Sequence, residues 1–140
     1  MDANRELLFK DLSYKLQGLF YDVRNKYGQY HKEKVYHNAL KEELQQQGIR
    51  FTAEPRIDVY SVSSGKKLGT YVPDFLIEDS IIVEIKAGPF TIKDMEMQSI
   101  EYLKSSQYEL CYLVNFGEHN FKPKRYAHSK SNKPFISQKD

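Results

Sequence analysis

Residues 71–87 read YVPDFLIEDSIIVEIKA, and three charges, Asp74, Glu84 and Lys86, stand inside this otherwise apolar run. An isolated charge costs several kcal/mol or more to desolvate, so acids among valines and isoleucines need a wet edge or a partner. In IIVEIKA the side chains alternate, which puts Ile82, Glu84 and Lys86 on one face and Ile81, Val83 and Ile85 on the other. A three-residue loop over 78–80 makes Ile77 face Ile81 and sets Asp74 opposite Glu84, with Cβ atoms about 4.5–5.5 Å apart. A two-residue loop pairs Asp74 with Ile85 instead and turns the acid to the far face. In the first register two carboxylates meet and repel unless a cation lies between them. Mg²⁺ is typically held by one or two carboxylates plus phosphate oxygens, so a hard divalent ion resolves the conflict. A solvent-facing charged strip is the competing reading.

The flanking sequence supplies helices. In residues 5–26, Leu8, Leu12, Leu16, Leu19 and Val23 recur at steps of three and four, an amphipathic helix. A second helix follows the Gly28 break, with Tyr36, Leu40 and Leu44 on one stripe and Gly48 as its stop. Glu42 and Glu43 are expected to face solvent. The period then shortens: 51–60 and 67–77 read as strands separated by SVSSGK, and 81–87 completes an antiparallel meander. Thr91 with Asp94 resembles a capping box opening a third helix, whose inward face carries Ile92, Met95, Ser99 and Leu103. The run 108–116 is a fourth strand. Two helices, three strands, a helix and a strand predict a mixed sheet flanked by helices, an α/β or α+β domain.

At 140 residues one domain is expected. No segment approaches the ~20 apolar residues of a membrane span and no signal sequence opens the chain, so a cytoplasmic protein without membrane partners is expected. The single Cys111 reads as a buried strand residue, since one thiolate cannot hold a zinc site or cluster by cysteine alone. The net charge of +2 hides an asymmetry, because residues 119–140 carry +5 and residues 1–118 carry −3. Residues 1–118 are therefore expected as the domain and 119–140 as a basic tail that need not be fully ordered. That tail, with Lys122, Lys124 and Arg125, either tracks phosphates or is a solvated terminus.

Pro73–Asp74, nine intervening residues, then Glu84-Ile85-Lys86 resemble the PD-(D/E)xK signature of the restriction-endonuclease-like nuclease superfamily. Gln98 and Tyr102 form QxxxY on the following helix, which is similar to the RecB-type exonuclease branch. Glu33, Tyr36, Ala39 and Leu40, then GIRF, LGTYVPDFLIE, IIVEIKA, YLK and NFG, resemble the GxxExxY family of small proteins of this type from about residue 5 to 125. The match departs at Tyr30, where that family usually has glycine, and at Arg24, where histidine is common.

The resemblance implies a restriction-endonuclease-like core and a DNA nuclease using Mg²⁺ or Mn²⁺. Asp74, Glu84, the Ile85 carbonyl and Glu33 are its expected metal ligands. Lys86 would position or deprotonate the attacking water or stabilise the pentacovalent phosphorus. Gln98 and Tyr102 would orient Lys86 or the strand, and Lys122, Lys124 and Arg125 would meet phosphates. Glu33 lies on the stripe of Leu40 and Leu44 and is expected to face inward with His37 one turn on; a helix N-terminal acid favoured by the macrodipole is the plainer account. A DNA substrate is expected over RNA, and related nucleases often pair into homodimers. The alternative is a non-catalytic nucleic-acid- or protein-binding module on the same fold.

Overall fold

A computed structural model describes residues 3–88 and 93–133, with side chains from residue 9 onward. Helix α1 (Ala3–Tyr27) and helix α2 (Glu33–Gln46) pack together on one face of the sheet. Leu12, Leu16, Leu19 and Val23 are buried as the spacing requires, joined by Phe20. Gly28 and Gly48 take positive φ at the two helix ends, where a side chain would be strained. The Tyr36 hydroxyl donates to the Gly28 carbonyl and accepts from the His31 amide, while its ring stacks on Phe116. Arg24 spans from α1 to the carbonyls of Phe116 and Glu118.

The sheet runs β1 (Phe51–Ala53), β4 (Phe75–Ile77), β5 (Ile81–Lys86), β6 (Leu110–Asn115), β7 (Lys124–Ala127), with β2 (Ile57–Tyr60) and β3 (Lys67–Tyr71) forming a separate two-stranded ribbon. Each of the two long strands expected over 51–60 and 67–77 is thus broken in two. The breaks fall at Glu54–Pro55 and Pro73–Asp74, where proline removes a ladder donor and Glu54 takes φ +52°. Helix α3 (Lys93–Ser105) is the crossover between the parallel strands β5 and β6. Thr91 and Ile92, expected at its start, lie outside the described residues. Ser99 and Leu103 are buried and Met95 is half-buried.

Alternation along β5 builds two cores. Ile81, Val83 and Ile85 join α1 and α2, whereas Ile82 joins Ile57, Tyr71, Leu103 and Cys111 on the side of α3 and the ribbon. Burial pushes the Cys111 thiol up to about 12, so it is inert as a nucleophile at neutral pH. No helix of the described residues is long and apolar enough to cross a membrane.

Three expectations need correction. Glu43 does not face solvent: it is buried between α1 and α2 and paired with Lys26, because it flanks the Leu40–Leu44 stripe closely enough to be covered. The basic segment is not only a tail, since residues 124–127 add the edge strand β7 beside β6. An edge strand with one solvated side can carry KRYA without an apolar alternation to announce it. Lys133, one of the basic residues that give 119–140 its +5, is not a solvated tail charge but is buried with its ammonium donating to the carbonyls of Leu103, Ser106 and Tyr108. It satisfies carbonyls that the end of α3 leaves open.

Candidate active site

The loop between β4 and β5 sets the site. Ile77 pairs with Ile81, Leu76 with Ile82 and Phe75 with Val83, the register of a three-residue loop. Glu78 and Asp79 both take positive φ, and the Ser80 amide donates to the Ile77 carbonyl. Asp74, next along β4, therefore meets Glu84. Its amide donates to Glu84 Oε1 at 3.0 Å, and the Ile85 amide donates to Asp74 Oδ2 at 2.7 Å. Each carboxylate is thereby fixed by a backbone N–H from the opposite strand and keeps a second oxygen. The Glu54 amide holds the Asp74 carbonyl at 2.8 Å, so the paired strand breaks also anchor the acid.

Lys86 shares the face of Glu84, and its Nζ lies 4.0 Å from Glu33 Oε1. Glu33 is the first residue of α2 and half-exposed at its side chain, so it does not sit on the buried stripe. A position at the very start of a helix overhangs the core, and from there Glu33 reaches the end of the sheet. His37, one turn on, places Nε2 4.0 Å from Asp74 Oδ1 and stacks its ring on Phe75 at 4.4 Å. At 4.0 Å these are electrostatic contacts rather than hydrogen bonds. Two buried polar atoms here, His37 Nε2 and the Tyr71 hydroxyl, have no close hydrogen-bond partner among the described residues, although the Tyr71 hydroxyl still acts on Glu84 as a weak donor.

Burial, then the neighbouring Asp74 charge, pushes the Glu84 carboxyl up to about 7; Lys86 and the Asp74 amide oppose the shift. Burial also raises Glu33, with Lys86 opposing and Asp74 reinforcing. The Tyr71 phenol is raised by burial and by Glu84. Glu84 thus takes up its proton near 7 in the fold, against 4.5 as its ordinary value, and folding binds a proton between the two. The ionised carboxylate costs stability above pH 7, and that cost fades as pH falls toward 4.5. In chelator, the wild type is expected to gain about 2 kcal/mol relative to Glu84→Gln on moving from about pH 8 to about pH 5, read by denaturant unfolding.

Tyr102 reaches this cluster through Tyr71, on which it stacks at 4.0 Å and 5°. Gln98, one turn earlier on α3, is exposed. The three basic residues expected at phosphates are not gathered. Lys124 is bound to Glu96 at 2.5 Å, and Lys122 is exposed. Arg125 pairs with Tyr112 and so faces the α1 side, where it lines a groove of about 710 Å³ with Tyr14, Gln17 and Glu109. None of that groove's lining residues belongs to the carboxylate cluster.

Sequence reasoning passed over Tyr71, Asn115 and Gly117. Tyr71 precedes the Pro73 break, so its facing could not be counted from Asp74. Asn115 accepts from the amides of Gly88 and Gly117 and donates to the Gly88 carbonyl, tying down the chain that leaves β5 just after Lys86. The signal for that tie was the NFG run at 115–117.

Among the described residues no group of three or more His, Cys, Asp or Glu side chains is arranged to hold a metal ion by itself. What the cluster offers is two fixed carboxylates with a lysine beside them and Glu33 across from it. The fold is similar to that of an alkaline exonuclease (LHK-Exo) from Laribacter hongkongensis, with a TM-score of 0.42 and 14% identity. The likeness covers 75% of this chain and 64% of that one, so the chain spans less than two-thirds of the exonuclease's length. No curated protein sequence matches the chain. The family model of the PD-(D/E)XK nuclease superfamily matches residues 10–126, a span that holds the Pro73-Asp74 and Glu84-Ile85-Lys86 strands and ends in β7. By that match the chain belongs to the PD-(D/E)XK nuclease superfamily.

Proposed function

We propose that the chain is a divalent-metal-dependent nuclease that hydrolyses phosphodiester bonds in DNA, with Asp74, Glu84 and Lys86 at its centre. The observation that carries this reading is the reciprocal clasp of Asp74 and Glu84 through each other's strands, with Lys86 on the same face. Two partly buried like charges that close cost stability unless something positive completes them.

Enzymes of the superfamily generally use divalent metal ions. The residues present fit such an ion: both acids retain an oxygen not taken by the opposite strand's amide, and Glu84 is raised by burial and then by the like charge of Asp74. Asp74 and Glu84 would hold Mg²⁺ or Mn²⁺, with the Ile85 carbonyl and Glu33 completing the set. Such an ion, when bound, supplies a water of lowered pKa and neutralises charge on the phosphate. Lys86 then orients the attacking water or stabilises charge on the phosphorus oxygens, and Glu33 keeps its ammonium aimed at the site. Tyr102 props Tyr71 against Glu84, and Gln98 stands at the surface where a strand arrives. Tyr36 and the NFG run support placement in the GxxExxY branch, since both brace the turn and loop flanking the acids.

Linear, circular and single-stranded DNA incubated with the wild type and Mg²⁺ or Mn²⁺ should be degraded, and chelator should abolish the reaction. Degradation that survives chelator defeats the metal-dependent mechanism, and binding without degradation under every metal favours a non-catalytic module.

A further inference from the structure

Five large aliphatic side chains are exposed among the described residues, and each lies on a segment bearing the site. Val35 follows Glu33 by two residues, Val72 precedes Asp74 by two and Met97 adjoins Gln98, while Val62 and Leu68 belong to the β2–β3 ribbon. The ribbon pair is the most exposed, at 66% and 70%. Ile57 and Tyr71 anchor the ribbon's base in the core shared with α3 and Ile82, so it stands on the sheet face that carries Glu84. From Tyr71 to the turn it extends about 15–20 Å at the usual rise of a strand.

The tip is a built turn. Ser61 Oγ accepts from the amides of Ser63 and Ser64, the Gly65 amide donates to the Ser61 carbonyl, and Gly65 takes φ +76°. Val62 is thus presented outward by a turn whose own polar groups are engaged. Residues 56–70 carry Arg56, Lys66 and Lys67 against Asp58, a net +2 within a −3 body. Lys67 is paired with Asp58 at 3.2 Å, while Arg56 and Lys66 are exposed. An apolar tip on a basic two-stranded ribbon suits a nucleic-acid groove. The major groove of B-form DNA admits such a ribbon, whereas the deep, narrow major groove of an A-form RNA duplex does not.

We propose that the β2–β3 ribbon is a duplex-DNA arm, seating Val62 and Leu68 in a groove with Arg56 and Lys66 on the flanking phosphates, and so presents a strand to Asp74 and Glu84. This rests on the nuclease reading above and moves the main duplex contact from the C-terminal basic residues to the ribbon.

The test is anisotropy titration of a short labelled DNA duplex in the Asp74→Asn background, so that nothing is cut, with the RNA duplex of the same sequence alongside. Arg56→Gln with Lys66→Gln should lower the slope of log affinity against log salt by about 2. Val62→Ser with Leu68→Ser should weaken DNA binding about tenfold with the slope unchanged. All four side chains are exposed, so both pairs should fold, as circular dichroism checks, and each pair tests the arm separately. DNA affinity and slope equal to the parent in both pairs, or equal losses on RNA and DNA, overturn the arm. A wild type that degrades DNA while the ribbon pairs keep parental affinity defeats the arm alone; a wild type that neither binds nor degrades nucleic acid defeats the nuclease reading with it.

Discussion

Asp74→Asn is expected to lower DNA hydrolysis by about a thousandfold, a loss typical of removing one preorganised charge from a reacting centre, without weakening the fold. The substitution keeps the backbone amide that holds Glu84 Oε1, and Asn Oδ1 can still accept from the Ile85 amide. It removes the like charge that helps raise Glu84, so the metal-free variant should match the wild type or exceed it by about 1 kcal/mol near pH 8. Hydrolysis assays paired with denaturant unfolding read both effects. A catalytic pair held together against its own repulsion gives this split, because stability and activity draw on it in opposite directions. Asp74→Asn that destabilises by several kcal/mol would mark the clasp as structural instead.

Gly117→Ala should have the largest effect on stability. A Cβ at residue 117 would sit 2.6 Å from the Gly88 nitrogen and 2.8 Å from its carbonyl carbon and oxygen, all backbone atoms that cannot turn aside. Separating the two segments breaks the Asn115 bonds to Gly88 and frees the end of β5 beyond Lys86. A loss of about 3 kcal/mol or more is expected, from overpacking plus buried polar groups left unpaired. Gly18 on α1 is the contrast: nothing lies within 4 Å of its Cβ position, so Gly18→Ala should stabilise by about 0.5–1 kcal/mol through helix propensity. Thermal unfolding of the two variants, moving in opposite directions, checks the packing around the β5 exit.

The register of the site was legible because strand alternation has a period of two and the loop after Ile77 admits few lengths. With a three-residue loop after Ile77, counting sets Asp74, Glu84 and Lys86 on one face, and the choice between loop lengths was left to the structure. Counting failed where proline broke the count. Pro55 and Pro73 divide two apparent strands into four, turn the ribbon out of the sheet and bring Tyr71 over Glu84, none of which an unbroken alternation foresees. On α2 the period of 3.6 identified Tyr36, Leu40 and Leu44 as core. It misplaced Glu33 and Glu43, because whether a flanking position is covered depends on the neighbouring helix and the helix end. Strand β7 was hidden because an edge strand tolerates charge, and Lys133 because its partners are backbone carbonyls that leave no mark in sequence.

If Asp74 and Glu84 form one cation site, both carboxylates are needed to bind a divalent ion. Calorimetric titration of Mn²⁺ into the wild type, Asp74→Asn and Glu84→Gln tests it most directly. Binding to the wild type should be saturable and should weaken as pH falls below about 7, where protons compete at Glu84, and it should be lost in both variants. Mn²⁺ binding that is absent from the wild type, or that persists unchanged when either carboxylate is neutralised, would contradict the shared site.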